Sequence, residues 1–524
     1  MKKTAGMAAS LVVIVGALGT AGAWYTGKHL ESVLQTSISE ANQQMQNALL
    51  GIDGTAKLEL LSLERHLFSS TAHYRLTVAG KALGDGQQPF ELLFVDRIDH
   101  GPFPLSRLQA LKLMPVMATS NFELEKNPLT EPWFAATQGV APLSGQVSLG
   151  YDGSSSSSMR LQPLDLAPSE KIQVKFSGLD LQVDASAKAE DLQIGGNMTS
   201  LQLSLVSPTS GPLTIDLQGL TLDSDRSKGS SGLYMGTNQV KLKSASVQMA
   251  DKPPVLLSDL AQSDSLEEVG NSLNGRLTYD IGMISYDGKQ IGGSQQVWSL
   301  KNLDLGAVQS LVKLYESKLQ PLQTAALQGS EAPQLDLSDA EQAQLKADFE
   351  QLLAAKPQIA LEKMSFKTTN GESHLRLALD LNKPESFDLP APLIAKQLIG
   401  QLDAKLVVSK PMIGDVVGVQ AAFAGQTDQQ AIAEQASMMS EMASSMAVAS
   451  QMATVEGDNI VSSLHYANDQ VDFNGRKMTV EEFVGMFMAM GGGMGMQQDD
   501  AALQEGESAD GLALQAPAVE NTAQ

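Results

Sequence analysis

Beyond Gly54 the chain repeats one pattern, an apolar residue followed by a polar one. Leu179, Leu181 and Val183 alternate with polar residues, as do Leu201, Leu203 and Leu205, and Leu213, Ile215 and Leu217. The pattern returns at Leu277, Tyr279 and Ile281, at Leu375, Leu377, Leu379 and Leu381, and at Leu402, Leu406 and Val408 around Ala404. A period of two sends successive side chains to opposite faces of a strand, so each run has one apolar and one wetted face. Between the runs stand Asp152-Gly153-Ser154, Gly195-Gly196-Asn197, Ser207-Pro208-Thr209, Asp287-Gly288 and Asn370-Gly371. These are hairpin-turn residues at strand-length spacing, which predicts mainly antiparallel sheets. The expected fold is mainly β with α additions, an elongated, twisted antiparallel sheet or sandwich behind one N-terminal transmembrane helix.

That helix is read from residues 1–27. Lys2 and Lys3 precede an uncharged stretch from Thr4 to Tyr25, and Lys28 follows. Such a stretch matches the ~20 apolar residues needed to cross a hydrocarbon core. Trp24 and Tyr25 sit where an interfacial aromatic belt belongs, and the two lysines predict export of the rest. A cleaved signal peptide competes with this reading, because Ala21-Gly22-Ala23 is an acceptable processing site. The apolar stretch exceeds a normal signal core, which favours a retained signal-anchor. From 28 to 50, Leu30, Val33, Leu34, Ile38, Ala41, Met45 and Ala48 recur at helical spacing, predicting an amphipathic stalk helix with an ordinary packing face.

The remaining organisation follows from changes of period. Residues 51–301 read as β-rich and 302–357 as a helical insertion. In that insertion Ser338 caps a helix from Asp339, and Pro357 ends it. Residues 358–410 continue the β-rich region. Residues 411–490 carry a Met-rich helix, a closing hairpin and a helix, and 491–524 an acidic tail expected to be disordered. Twelve of the 23 methionines fall between Met412 and Met496, with Met438, Met442 and Met446 at i, i+4 and i+8. Adaptable apolar filler on a sheet is the plain explanation. Copper held by thioether sulfur is the alternative, with no His or Cys to accompany it.

Composition excludes several functions. A net charge of −23 leaves nothing to neutralise phosphates along a groove, so no nucleic-acid partner is expected. The absence of cysteine removes thiol catalysis and thiolate metal sites. The six histidines, His29, His66, His73, His100, His374 and His465, show no zinc-type spacing, and neither a nucleophile elbow nor a phosphate loop occurs. No catalytic residue, metal or cofactor is therefore predicted.

The anchor ending in Ala23-Trp24-Tyr25-Thr26-Gly27, and the run Asp96-Arg97-Ile98-Asp99-His100-Gly101-Pro102-Phe103-Pro104, resemble the YdgA-like family of bacterial envelope proteins. Phe473-Asn474-Gly475-Arg476, followed by Met478 to Phe483, resembles the family's closing segment. The resemblance covers roughly residues 1–490 and implies location and topology without a reaction. Taken by themselves, His100, Gly101, Pro102, Phe103 and Pro104 form a rigid corner after the strand Phe90–Ile98, with Phe103 able to plug a core. Asn474 and Gly475 predict a type I′ turn.

Two functions are expected to compete. In the first, a non-enzymatic protein of the bacterial inner membrane, single-pass with its bulk in the periplasm, handles a lipid or another apolar ligand. The sheet face carrying Leu201, Leu203, Leu213, Ile215, Leu375 and Leu377 would hold that ligand in envelope maintenance. In the second, those faces close on one another, and the protein is an envelope scaffold acting through a homodimer or another envelope protein. A hydrolase, distantly third, needs a His100-centred pocket with a hydroxyl or carboxylate partner.

Overall fold

The computed structural model describes residues 34–36, 38–39, 41–43, 45, 55–66, 68–79, 89–109, 111–169, 171–207, 211–319 and 337–491. The expected anchor with Trp24 and Tyr25 lies outside the described residues, as does the acidic tail beyond Gly491. Among the described residues no helix is long and apolar enough to cross a membrane. The chain divides into two compact units, residues 1–477 and 478–524.

Among the described residues the alternating runs become one antiparallel sheet of 22 strands rather than two separate ones. β1 (Thr55–Arg65), β2 (Ser69–Ala79), β3 (Phe90–His100), β4 (Ala118–Leu124), β5 (Leu143–Leu149) and β6 (Ser155–Leu161) form a meander. β7 (Leu164–Ser169) and β8 (Ile172–Phe176) make a hairpin, and β9 (Leu179–Ala185) pairs with β6. β10 (Asp191–Ser207) bonds to β9 along its first half and to β8 along its second.

The meander then resumes through β11 (Gly211–Lys228), β12 (Tyr234–Met249), β13 (Val255–Val269), β14 (Ser272–Tyr286) and β15 (Lys289–Asp304). β16 (Gln358–Lys367), β17 (Glu372–Leu381) and β18 (Ile399–Ser409) follow. β19 (Thr454–Glu456) and β21 (Gln470–Phe473) both bond to β20 (Asn459–Ala467), which pairs with β18. β22 is Arg476–Thr479.

Several turns are where the residues place them. Asp287 and Gly288 have φ of 52° and 71°, and Asn474 and Gly475 of 53° and 82°, the left-handed pair that a type I′ hairpin needs. Gly195-Gly196-Asn197 is not a turn, because it lies inside β10. A Cβ on Gly196 would come within 2.6 Å of the Leu181 side chain, so the glycine makes room for a leucine on the neighbouring strand.

Helices are few. α1 (Leu105–Gln109) and α2 (Glu131–Ala136) lie in the first meander, and α3 (Leu305–Leu314) and α4 (Asp339–Ala354) between β15 and β16. Ser338 caps α4 in a full capping box with Glu341. α5 (Ala391–Leu398) precedes β18, and α6 (Lys410–Phe423) and α7 (Gln429–Ala449) pack together after it. In the second unit α8 (Val480–Gly491) begins with a reciprocal pair. The Thr479 backbone N–H donates to Glu482 Oε2 at 2.9 Å, and the Glu482 N–H donates to Thr479 Oγ1 at 3.2 Å.

Residues 34–45, helical wherever described, lay Leu34, Ile38 and Met45 on a core containing Leu58, Tyr74, Phe94 and Ile98. Trp133 and Phe134 of α2 pack on the same core. Asn42 seals the edge of β1. Its side chain donates to the Leu58 carbonyl at 2.9 Å and accepts from the Leu58 N–H at 2.7 Å. An open strand edge would otherwise offer those groups to another chain.

Candidate functional site

Directly opposed residues on antiparallel strands project to the same face, so the register traces that face strand by strand. One row runs Ala72, Asp96, Phe122, Gly145, Met159, Leu181, Gly196 and Leu222 from β2 to β11. It continues through Val240, Gln262, Tyr279, Gln296, Met364, Leu375 and Leu406 to β18. The face that packs beneath residues 34–45 is thus the face met again fourteen strands later.

Its long central strands carry a crease. In five consecutive strands the apolar residues step by three rather than two: Met198 to Leu201, Leu217 to Leu220, Leu242 to Ala245, Leu257 to Leu260, and Ile281 to Ile284. The steps are aligned, because Met198, Leu220, Leu242, Leu260 and Ile281 form one row, and Leu201, Leu217, Ala245, Leu257 and Ile284 the next. Gly219 and Asp259, at the level between the rows, have φ of 66° and 53°. On β15 the partners of Ile281 and Ile284 are Ser294 and Gly292, two residues apart and so on one side. The crease is a row of bulge-like interruptions that keeps both leucine-rich levels on the same face.

Cover is uneven along that face. At β1–β4 Tyr74, Phe94 and Ile98 are lost to solvent. On β14–β18 Tyr279, Trp298, Leu300, Ile359, Met364, Leu377 and Leu406 are each 37–46% exposed. Trp298, Leu361, Leu377 and Ala404 make one row there, and Leu300, Ile359, Leu379 and Leu402 the next. Four inter-strand steps of ~4.8 Å make this surface about 19 Å across. The opposite side of the same strands buries Val297, Ala360, Val407 and Val461; α6 contacts β15 and β18 and buries its own Val417 and Ala421.

The six leucine and isoleucine positions expected to line a ligand face divide into two groups. Leu203 pairs directly with Ile215, Leu201 with Leu217 and Leu213 with Leu205. Leu375 pairs with Met364 and Leu406, and Leu377 with Leu361 and Ala404. Both groups occupy the one face but sit six or seven strands apart, roughly 30 Å along the sheet. Sequence alternation missed Trp298, Leu300, Ile359 and Met364. Bulges between Val297 and Trp298 and between Leu361 and Met364 break the period there. An alternating Trp298 and Leu300 was the available signal.

The corner at His100 is built differently from expectation. Phe103 plugs nothing and is 54% exposed. Backbone bonds from Gly101 to Met117 and from Val116 to Pro102 hold the bend, and a Cβ on Gly101 would lie 1.9 Å from the Val116 carbonyl oxygen. His100 Nε2 lies 3.2 Å from Ser70 Oγ, but Ser70 is buried, so the contact ties β2 to β3 and offers no accessible nucleophile. Among the described residues no cluster of three or more His, Cys, Asp or Glu could hold a metal.

Two polar features mark the contrast with the apolar face. Opposite it, a hollow of about 880 Å³ is lined by Arg97, Asn121, Gln146, Arg160, Asp180 and Gln182, with Arg160 and Asp180 paired at 2.6 Å. Beneath residues 34–45, the Asp96 carboxyl is fully buried. Desolvation pushes it up to about 7 against hydrogen bonds from Ser120 Oγ (2.7 Å) and the Asn121 N–H. Its second oxygen and the Tyr74 hydroxyl meet no hydrogen-bond partner among the described residues.

Comparison with known proteins finds similarity along almost the whole chain. The family described as "Bacterial protein of unknown function (DUF945)" matches residues 1–481. Protein YdgA of Escherichia coli K12 is 28% identical over 490 residues, covering 92% of this chain and 96% of that protein. The uncharacterized protein YihF of the same organism is 22% identical over 489 residues, 92% of this chain and 98% of its own length. An uncharacterized protein of Haemophilus influenzae is 26% identical over 161 residues, 31% of this chain and 42% of that protein. No solved structure matches significantly.

Proposed function

The chain belongs to the DUF945 family of bacterial proteins, and on that premise we propose that it is a membrane-anchored, non-enzymatic carrier surface for acyl chains. Residues 4–25 anchor it in the inner membrane, and the sheet stands in the periplasm. The ligand lies on the apolar face of β14–β18. One observation carries the reading: seven large apolar side chains remain more than a third exposed on a single face, while Val297, Ala360, Val407 and Val461 on the other side of the same strands are buried. A contiguous apolar surface of this kind calls for an occupant. Its breadth of about 19 Å exceeds the ~15 Å half-thickness of hydrocarbon that acyl chains fill in a bilayer.

The test is site-specific photo-crosslinking in cells with the full chain. Leu377→benzoylphenylalanine and Trp298→benzoylphenylalanine should yield lipid adducts by mass spectrometry, whereas Lys363→benzoylphenylalanine, pointing to the opposite face, should not. Adducts to a protein at 298 and 377 would replace the carrier reading with that of an envelope scaffold. Their recurrence on a second copy of the chain would make it a homodimer.

A further inference from the structure

The methionines of α7 do not fill a core. α7 turns Ala436, Ala443, Ser444 and Ala447 inward, and Ser444 is buried. Met438, Met442 and Met446 are 71%, 53% and 62% exposed. The packing explanation of the Met-rich helix is therefore overturned for these three. Successive thioethers in the stripe are about 6 Å apart along the axis at 1.5 Å rise per residue. The outer two are about 12 Å apart, so the flexible side chains of Met438 and Met446 lean toward the central Met442 from either side to share one ion.

We propose that Met438, Met442 and Met446 form a copper(I) site. Thioether sulfur is a soft donor that selects a soft ion, and the hard divalent ions want carboxylate and imidazole. Imidazole is missing, since the one histidine between 411 and 475 is His465, engaged with Asp403 at 2.6 Å. Charge is the second and independent observation. Residues 411–475 hold eight acidic residues and no lysine or arginine, and exposed Glu434 continues the stripe one turn before Met438. The cations on or in contact with these helices, Lys410 at the start of α6, Lys289 at the Ala422 carbonyl and Arg476 at Gln451, lie at their ends. A small cation is thus attracted to the exposed thioethers of this helix pair.

The experiment titrates the full chain in detergent micelles, without oxygen, with copper(I) against bicinchoninate. Wild type should withdraw one equivalent. M438L/M442L/M446L should bind at least tenfold more weakly, because leucine keeps volume and helix propensity while removing sulfur. M486L/M488L, on α8, should behave as wild type. Failure of wild type to withdraw copper, or equal withdrawal by the triple variant, overturns the site. Should the triple variant lose its folding transition, X-ray absorption of the wild-type complex decides. A sulfur-only shell sustains the proposal and a nitrogen or oxygen shell ends it.

Discussion

The same sheet face meets two fates. At β1–β4 it lies under residues 34–45 and α2, and Tyr74, Phe94 and Ile98 disappear from solvent. At β14–β18 it carries side chains of the same size and kind, yet Trp298, Ile359 and Leu377 stay partly open. The strands do not decide between these outcomes; the covering segments do. A leucine in an alternating run therefore supports stability in one place and is free to serve binding in the other.

The largest expected effect is in the covered region. Phe94→Ala should destabilise the first meander by about 3–5 kcal/mol, read as a lowered denaturant midpoint. A loss comparable to that of an exposed position would collapse the distinction between the regions. Asp96→Asn comes next and has a sign. A carboxyl raised to about 7 in the folded chain contributes stability that is complete below its unfolded value near 3.8 and is lost as pH rises through 7. The wild-type midpoint should fall between pH 5 and 8, while the variant's stays level and exceeds it at pH 8. Asn42→Ala should cost about 1–2 kcal/mol, because two backbone groups at the edge of β1 lose their partner. Hydrogen exchange at Leu58 should quicken while β16 is unaffected. The smallest effect belongs to Leu377→Ser, expected at under about 1 kcal/mol with the lipid crosslinks at 298 reduced. A large destabilisation there would mean the open face is a structural core after all.

Much of the fold was legible because period two is a local property. Leu213, Ile215 and Leu217 announce their strand, and Asn474-Gly475 announces its turn. The single sheet was not legible. A run shows that it has an apolar face but not which other run will cover it, so sandwich and open sheet read alike. Gly195-Gly196 misled for a related reason, since its glycines answer to Leu181 on another strand. The exposed site hid behind bulges at Trp298 and Met364, where register rather than composition keeps the face continuous.

The aligned three-residue steps from Met198 to Ile284 have a consequence for how such a chain can change. Each strand is in phase with its neighbours on both sides of the crease only because every one of the five has the same extra residue at the same level. Deleting one residue there from a single strand would turn half of its leucines toward water while its neighbours kept theirs. Length variation in this stretch is then confined to hairpin tips, or must occur in all five strands together. The crease is a phase lock on inheritance as much as a bend in the sheet.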